Sequence, residues 1–223
     1  MAVINSLILS TILLFYAVLS APDSFDWRLK GVVPPVRNQD QFGTVTDFAV
    51  LAAIESYHMI KTGRMVALSI SELEDCCPAT TSTYECVLRL HGLCSVDQYP
   101  ARTGKCHSST CRPAAIISGY KSVTTGNETA LKEAVLINPV TALIDASSES
   151  FQLYRGGIYK DNKCSAKKLD HGLLVVGYGS KNGKDYWICQ NSWGTTWGDN
   201  GYILIARNDK NMCGIATEAA YPI

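Results

Sequence analysis

Nine cysteines carry the most reactive side chains in this 223-residue sequence. Thiols serve as nucleophiles, as metal ligands or as disulfide partners. The sequence contains no Cys-x-x-Cys pair and no histidine cluster, so we expect no metal site and no cofactor. So many cysteines indicate an oxidising compartment. Cys189, between Ile188 and Gln190 in a strand-like run, is expected to be a buried free thiol.

A second reactive pattern is the sequon Asn127-Glu128-Thr129, which precedes a predicted helix. In a secreted protein this pattern predicts N-glycosylation of Asn127. Asn127 is equally suited to be only the N-cap of that helix.

Several separated motifs follow one another along the chain. They are Phe25-Asp26-Trp27-Arg28, Val36-Arg37-Asn38-Gln39, Asp170-His171-Gly172, Asn191-Ser192-Trp193-Gly194 and Cys213-Gly214-Ile215-Ala216. In this order they resemble the papain family of cysteine proteases, of the cathepsin L type. The resemblance covers Asp23 to Ile223 and implies a two-lobe α+β fold, with a helical lobe and an antiparallel β-barrel-like lobe.

The resemblance implies a cysteine thiolate at a helix N-terminus, with a histidine and an asparagine 130–150 residues downstream. Here the corresponding stretch reads Phe42-Gly43-Thr44-Val45-Thr46, and His171 and Asn191 follow Val45 at about that spacing. Val45 has nothing to deprotonate and no lone pair to attack a carbonyl. The family's nucleophile is therefore replaced, and we expect a catalytically inactive relative.

Other roles also come from the resemblance. Gln39 would donate to an oxyanion, a contact that contributes about 2.7–4 kcal/mol in a working enzyme. His171 would be the general base and Asn191 would orient it, while Trp193 and Trp197 would shield that pair from water. Leu143, Leu169 and Glu218 would line the main specificity pocket, with Trp193 also contacting the substrate. Without a nucleophile, a role in packing alone is the favoured alternative for the residues of the catalytic apparatus. Glu218 is equally compatible with a place in solvent.

The sequence departs from the family in further ways. Thr46 stands where the family has tryptophan, and Asp47 where it has a small residue. The Asp47 carboxylate is therefore expected either in solvent near the positive end of the helix dipole or bonded to a partner. Phe42 replaces a bridging cysteine, and the family's glycine-rich loop after Cys76 is absent.

Disulfide pairing follows from the same resemblance. Cys164 is expected to pair with Cys213, and Cys76 with Cys106 or Cys111. Two further bridges would join Cys77, Cys86, Cys94 and whichever of Cys106 and Cys111 does not pair with Cys76, and their connectivity is left open.

Three functions are compatible with these residues. The first is a secreted pseudoprotease, expected to be a monomer, that holds a peptide or cystatin-like inhibitor in its groove. The second is a peptide hydrolase that uses Thr44 or Thr46, although neighbouring helical residues point about 100° apart. The third is a disulfide-stabilised structural or toxin-like protein without a groove ligand.

Periodicity and the positions of glycine predict the helices and strands that carry these residues. Residues 44–62 predict a helix buried on all sides and ended by Gly63. A second helix begins at Ser69 with Glu72 completing a capping box, and a third covers 129–137. Strands are predicted at 140–145, 172–178, 186–189 and 202–207.

The domain organisation follows from composition. Residues 1–20 are expected to be a signal peptide and 21–223 one peptidase domain, with a helical lobe over about 21–125, a β-rich lobe over about 126–223 and no propeptide. Twenty basic and twenty acidic residues give zero net charge, which argues against nucleic-acid or membrane-surface partners. We expect a secreted protein or one in a lysosome-like lumen.

Overall fold

The computed structural model describes residues 21–39, 46–99 and 101–223. The predicted signal peptide lies outside the described residues, as do Thr44 and Val45. The helices are α1 (Asp47–Thr62), α2 (Ile70–Cys76), α3 (Thr83–Arg89), α4 (Glu128–Ile137) and α5 (Glu149–Gln152). The strands are β1 (Phe25–Asp26), β2 (Tyr120–Ser122), β3 (Val140–Ile144), β4 (Ile158–Tyr159), β5 (His171–Lys181), β6 (Lys184–Gln190), β7 (Tyr202–Ala206) and β8 (Ala219–Pro222).

Helix α1 is the central helix of the fold. Every residue from Asp47 to Ser56 is buried, as the absence of a polar face predicts. Gly63 ends the helix in the left-handed region, with φ 71°, and its N–H bonds to the Met59 carbonyl. The helix begins at Asp47, after Thr46 as N-cap.

Helix α2 confirms only half of the predicted capping box. The Ser69 hydroxyl accepts a hydrogen bond from the N–H of Glu72. Glu72 does not return the bond, because the Ser69 N–H is used by the Cys94 carbonyl and the Glu72 carboxylate accepts from the Cys94 N–H at 2.7 Å. A tertiary partner has therefore taken the place of the local one.

One large sheet organises the second half of the chain. Its strand order is β2-β8-β3-β5-β6-β7-β4, with β1 paired to β5, and every pairing is antiparallel except β4 with β7. Two of these strands, β1 and β2, precede residue 126. The lobe boundary near 126 stays a prediction, and the sheet crosses it.

The described residues contain four disulfide bonds. Cys164–Cys213 confirms the predicted pair, and Cys76 pairs with Cys106, one of its two expected partners. The connectivity left open is Cys77–Cys86 with Cys94–Cys111. Cys189 is free and buried, as predicted. Burial raises the pKa of its thiol.

Within the described residues the core has two parts. The larger lies between the sheet, α4 and the N-terminal segment and includes Trp27, Phe151, Tyr178 and Trp187. The smaller lies under α1, α2 and α3, around Leu51, Leu73 and Val87. α1 contributes to both, with Ala52 and Ala53 in the larger part and Leu51 and Ile54 in the smaller, so the middle of this helix lies between them. None of the helices in the described ranges has the length and apolar content that a membrane span requires.

Candidate active-site cleft

His171 and Asn191 meet because β5 and β6 are antiparallel neighbours. His171 is the first residue of β5, and Asn191 follows the last residue of β6. The His171 Nε2 and the Asn191 Oδ1 lie 2.7 Å apart, and both side chains are buried. Because the amide oxygen accepts this bond, Nε2 carries the proton and Nδ1 is left as the basic nitrogen.

The imidazole is desolvated. Burial lowers the pKa of His171 below its usual value, and the hydrogen bond to Asn191 and the charge of Asp170 only partly offset this. Trp193 covers the ring, with centroids 4.8 Å apart, and Trp193 packs edge-on against Trp197 at 5.3 Å. Trp193 thus contacts the ring directly and Trp197 contacts Trp193, and shielding of the pair from water stays a prediction.

Gln39 reaches the cleft on an extended segment that pairs with residues 192–194. Its N–H bonds to the Ser192 carbonyl at 2.8 Å, and the Gly194 N–H bonds to the Arg37 carbonyl at 3.0 Å. The Ser192 hydroxyl donates to the Gln39 Oε1 at 2.5 Å. With the amide oxygen occupied in this way, Gln39 Nε2 is the group left to donate.

A partly buried ion pair joins this segment to α1. The Arg37 guanidinium makes two hydrogen bonds to the Glu55 carboxylate, at 2.6 and 2.7 Å. Glu55 is fully buried and also accepts from the Leu68 N–H at 2.7 Å. Such a bidentate pair fixes orientation as well as distance.

Asp47 has a defined partner. Its side chain is 3% exposed, and its Oδ1 accepts a hydrogen bond from the Thr83 hydroxyl at 2.7 Å. The Thr83 hydroxyl also lies 3.4 Å from that of Thr46. The bond joins the first turn of α1 to the first turn of α3, so a partner, rather than solvent, accounts for the carboxyl group.

A cavity of about 390 Å³ opens beside the N-terminus of α1. Leu143 and Glu218 both line it, and the Leu143 N–H bonds to the Glu218 carbonyl at 2.9 Å. Of its described lining residues, ten carry a hydroxyl group and Glu218 alone carries a charge. Glu218 is exposed, and several of the hydroxyl groups already bond within the protein, among them Thr83 to Asp47 and Tyr84 to Thr141. The pocket therefore combines apolar surface with one carboxylate at an exposed position.

Two predicted pocket residues lie elsewhere. Leu169 is half-buried and packs against Gly214, where an added Cβ would lie 2.5 Å from the leucine Cδ2. Trp193 belongs to the aromatic cluster over His171. Neither is among the described residues that line the cavity, and substrate contacts by either stay predictions.

The sequence did not predict two hydrogen-bonding partners, Ser192 and Thr83. Ser192 lies inside a quoted motif, and Thr83 lies where the glycine-rich loop is absent. Their hydrogen bonds to Gln39 and Asp47 span 153 and 36 residues, and no local pattern reports such contacts.

Glu72, Cys94 and Cys111 place three potential metal-ligand atoms within 4.8 Å of one another. Both sulfurs belong to one disulfide bond, so neither offers a thiolate. This group is a poor fit for a metal ion.

The profile of the family described as "Papain family cysteine protease" matches residues 21–223. The chain belongs to this family. Cysteine proteinase 3 of Dictyostelium discoideum is 43% identical over 91% of this chain and 64% of that protein. Digestive cysteine proteinase 1 of Homarus americanus is 42% identical over 91% and 68%, respectively. The chain thus spans about two thirds of the length of these relatives.

Solved structures agree with the papain-like fold. The bromelain protease from Ananas comosus, in complex with the inhibitor E64, superposes with a TM-score of 0.82 at 35% identity, covering 90% of this chain and 98% of bromelain. The digestive procathepsin L 3 of Tenebrio molitor larval midgut gives a TM-score of 0.83 at 37% identity, covering 92% and 71%. The predicted α+β, papain-like, cathepsin L-like fold is confirmed.

Proposed function

We propose that this papain-family chain is a pseudoprotease that binds a peptide or a cystatin-like inhibitor in its cleft without cleaving it. One contrast carries the proposal. The sequence places valine at the position of the nucleophile, whereas His171 and Asn191 remain hydrogen-bonded beneath Trp193. A general base and an oxyanion donor without an attacking group can orient a peptide but cannot form an acyl intermediate.

The groove offers binding energy independently of catalysis. Gln39 is held as a donor by Ser192, and the hydroxyl-lined pocket with Glu218 suits a basic side chain through charge-assisted hydrogen bonds. An extended peptide with a basic residue and hydrophobic neighbours is the ligand class that these features favour. We propose that the protein acts as a monomer, outside the cell or in a lysosome-like lumen.

The test compares wild type with Val45→Cys and with Val45→Ser, which adds a hydroxyl instead of a thiol. Each is assayed with a fluorogenic peptide carrying basic and hydrophobic residues, and titrated with a cystatin by calorimetry. We expect wild type and Val45→Ser to be silent and wild type to bind. Val45→Cys should gain turnover that iodoacetamide abolishes and that is lost in Val45→Cys/His171→Ala.

A second candidate is a hydrolase that uses a threonine. The observation in its favour is the chain of hydroxyls from Thr46 through Thr83 to the Asp47 carboxyl group beside the pocket. It predicts wild-type turnover that disappears in both Thr46→Val and His171→Ala, a result that would refute the pseudoprotease. If wild type neither cleaves nor binds while folded, the structural or toxin-like alternative is favoured instead.

A further inference from the structure

The side chain of Asn127 uses only one of its two polar atoms. It is the N-cap of α4, and its Oδ1 accepts a hydrogen bond from the Ala130 N–H at 3.0 Å. Among the described residues no hydrogen bond involves its Nδ2, and the side chain is exposed. Nδ2 is the atom through which N-linked sugars are attached. The cap and the acceptor of a glycan are therefore separate atoms of one residue.

The backbone presents this side chain on a turn. The Asn127 N–H bonds to the Thr124 carbonyl at 3.0 Å, and Gly126 takes a left-handed conformation with φ 74°. Residues 124–127 and Thr129 are all exposed. A bulky group on Nδ2 would displace no packed side chain, because the turn lies on the surface.

The middle residue of the sequon holds the turn in place. The Glu128 carboxylate accepts hydrogen bonds from the indole N–H of Trp187 at 3.0 Å and from the backbone N–H groups of Asn208 and Asn211 at 2.8 and 3.1 Å. These bonds lock the first turn of α4 against β6 and the loop after β7. The acceptor is thus presented by a rigid element.

The cysteines supply an independent argument about compartment. Eight of the nine are joined in four disulfides, and such bonds form and persist in the oxidising lumen of the secretory pathway. N-glycosylation of Asn-x-Ser/Thr sites belongs to secreted proteins. The sequence contains this pattern only once.

We infer that Asn127 is an N-glycosylation site. In the modification, Nδ2 forms a bond to C1 of the first sugar of a lipid-linked oligosaccharide. The bond from C1 to the lipid pyrophosphate breaks, the pyrophosphate leaves with the electron pair, and Nδ2 gives up one proton, so nothing is oxidised or reduced. Oδ1 stays free to cap α4. This site is distinct from the cleft and does not depend on whether the cleft binds a ligand.

The position of the site relates it to the pocket. The Gly126 N–H bonds to the Ala216 carbonyl at 2.7 Å, and Thr125 lines the pocket together with Thr217 and Glu218. Asn127 is two residues from Thr125, which corresponds to at most about 7 Å of chain. The glycan is therefore attached near the rim of the pocket.

The alternative is that Asn127 serves α4 only as a cap, and four variants separate the two roles. Asn127→Asp keeps an N-cap acceptor and removes the glycan acceptor, because aspartate caps as well as asparagine. Asn127→Ala removes both. Thr129→Ala leaves the cap intact but destroys the sequon, and Thr129→Ser preserves both.

The full chain is expressed in a eukaryotic secretory host, alone and behind an added secretion signal, and the secreted protein is analysed by mass spectrometry before and after peptide N-glycosidase. We expect wild type and Thr129→Ser to lose mass on treatment, with the peptide containing residue 127 converted to aspartate. Asn127→Asp and Thr129→Ala should show no change, yet melt like enzymatically deglycosylated wild type, whereas Asn127→Ala melts lower. Unmodified Asn127 in secreted, disulfide-bonded wild-type protein would overturn the inference.

Discussion

Ser192 donates a 2.5 Å hydrogen bond to the side-chain oxygen of Gln39, and a second bond, from the Gln39 N–H to the Ser192 carbonyl, joins the same two residues. The pair links the N-terminal segment to the loop after β6. Because the Gln39 amide oxygen is engaged by the Ser192 hydroxyl, the amide nitrogen is left as the donor. A residue next to Asn191 in sequence thus holds Gln39, the predicted oxyanion donor.

Removing this hydroxyl should weaken both stability and alignment. In Ser192→Ala we expect the free energy of unfolding to fall by about 0.5–1.5 kcal/mol, the contribution of one hydrogen bond. In the Val45→Cys background the same change should lower kcat/KM about threefold to tenfold. Urea unfolding and initial rates measure the two effects, with Ser109→Ala, an exposed serine, as control. Equal stabilities for the Ser192 and Ser109 variants would contradict this role.

The Asp47–Thr83 bond is expected to couple α1 to α3 energetically. A double-mutant cycle of Asp47→Ala and Thr83→Val should give a coupling energy of about 1–3 kcal/mol, because the bond is buried and one partner is a carboxyl group. Thr83→Val alone should cost most, since it leaves that group buried without its donor. The free energies come from urea denaturation. Additive effects of the two substitutions would show that the contact contributes little.

The buried imidazole should respond to pH in a defined direction. Because burial lowers the pKa of His171 from 6.5, the unfolded chain binds a proton more readily than the folded one. Stability from this group is therefore complete above pH 6.5 and falls as the pH drops from 6.5 toward the folded pKa. We expect the imidazole signals of His171 to titrate below 6.5 by NMR, and His171→Gln to flatten the slope of stability against pH. His107→Gln, at an exposed histidine, is the control, and a midpoint above 6.5 would refute the argument.

Glu128 should matter more than any other carboxylate of α4. Glu128→Gln weakens three hydrogen bonds, from Trp187, Asn208 and Asn211, and removes an anion from a helix N-terminus. We expect a loss of about 1.5–3 kcal/mol, the range for hydrogen bonds to a charged group, together with a change in Trp187 fluorescence. Glu133→Gln, an exposed change on the same helix, should be nearly neutral. A loss below about 0.5 kcal/mol would mean that backbone packing alone holds the turn.

The sequence predicted elements whose signals are local. Gly63 ends α1 because only a glycine takes its left-handed conformation without cost. β3 begins at Val140, as predicted, and ends one residue early, at Ile144. β5 runs three residues beyond the predicted strand, to Lys181, because its partner β6 extends with it to Lys184 as a hairpin. Strand ends were thus set by pairing rather than by propensity.

What the sequence did not predict depends on long-range contacts. Nothing local indicates that β1 pairs with β5, about 150 residues later. Nor does any local pattern indicate that the Glu72 carboxylate accepts a hydrogen bond from the Cys94 N–H instead of from the Ser69 N–H. The proximity of His171, Asn191 and Gln39 was expected through a family resemblance, and periodicity alone would not have produced it. The roles of these residues in binding stay predictions.

Three of the four disulfides lie within residues 76–111, and none of the four joins the first half of the chain to the second. That short stretch holds one seven-residue helix and one 3₁₀ turn, too little regular structure to order itself. Its conformation depends on cross-links that remove loop entropy from the unfolded chain. The order of residues 76–111 therefore depends on whether these disulfides have formed. We therefore expect reduction of these three bonds to loosen residues 76–111, which include the pocket residues Thr81, Ser82, Thr83 and Tyr84, before it affects the sheet, whose strands all lie outside that stretch.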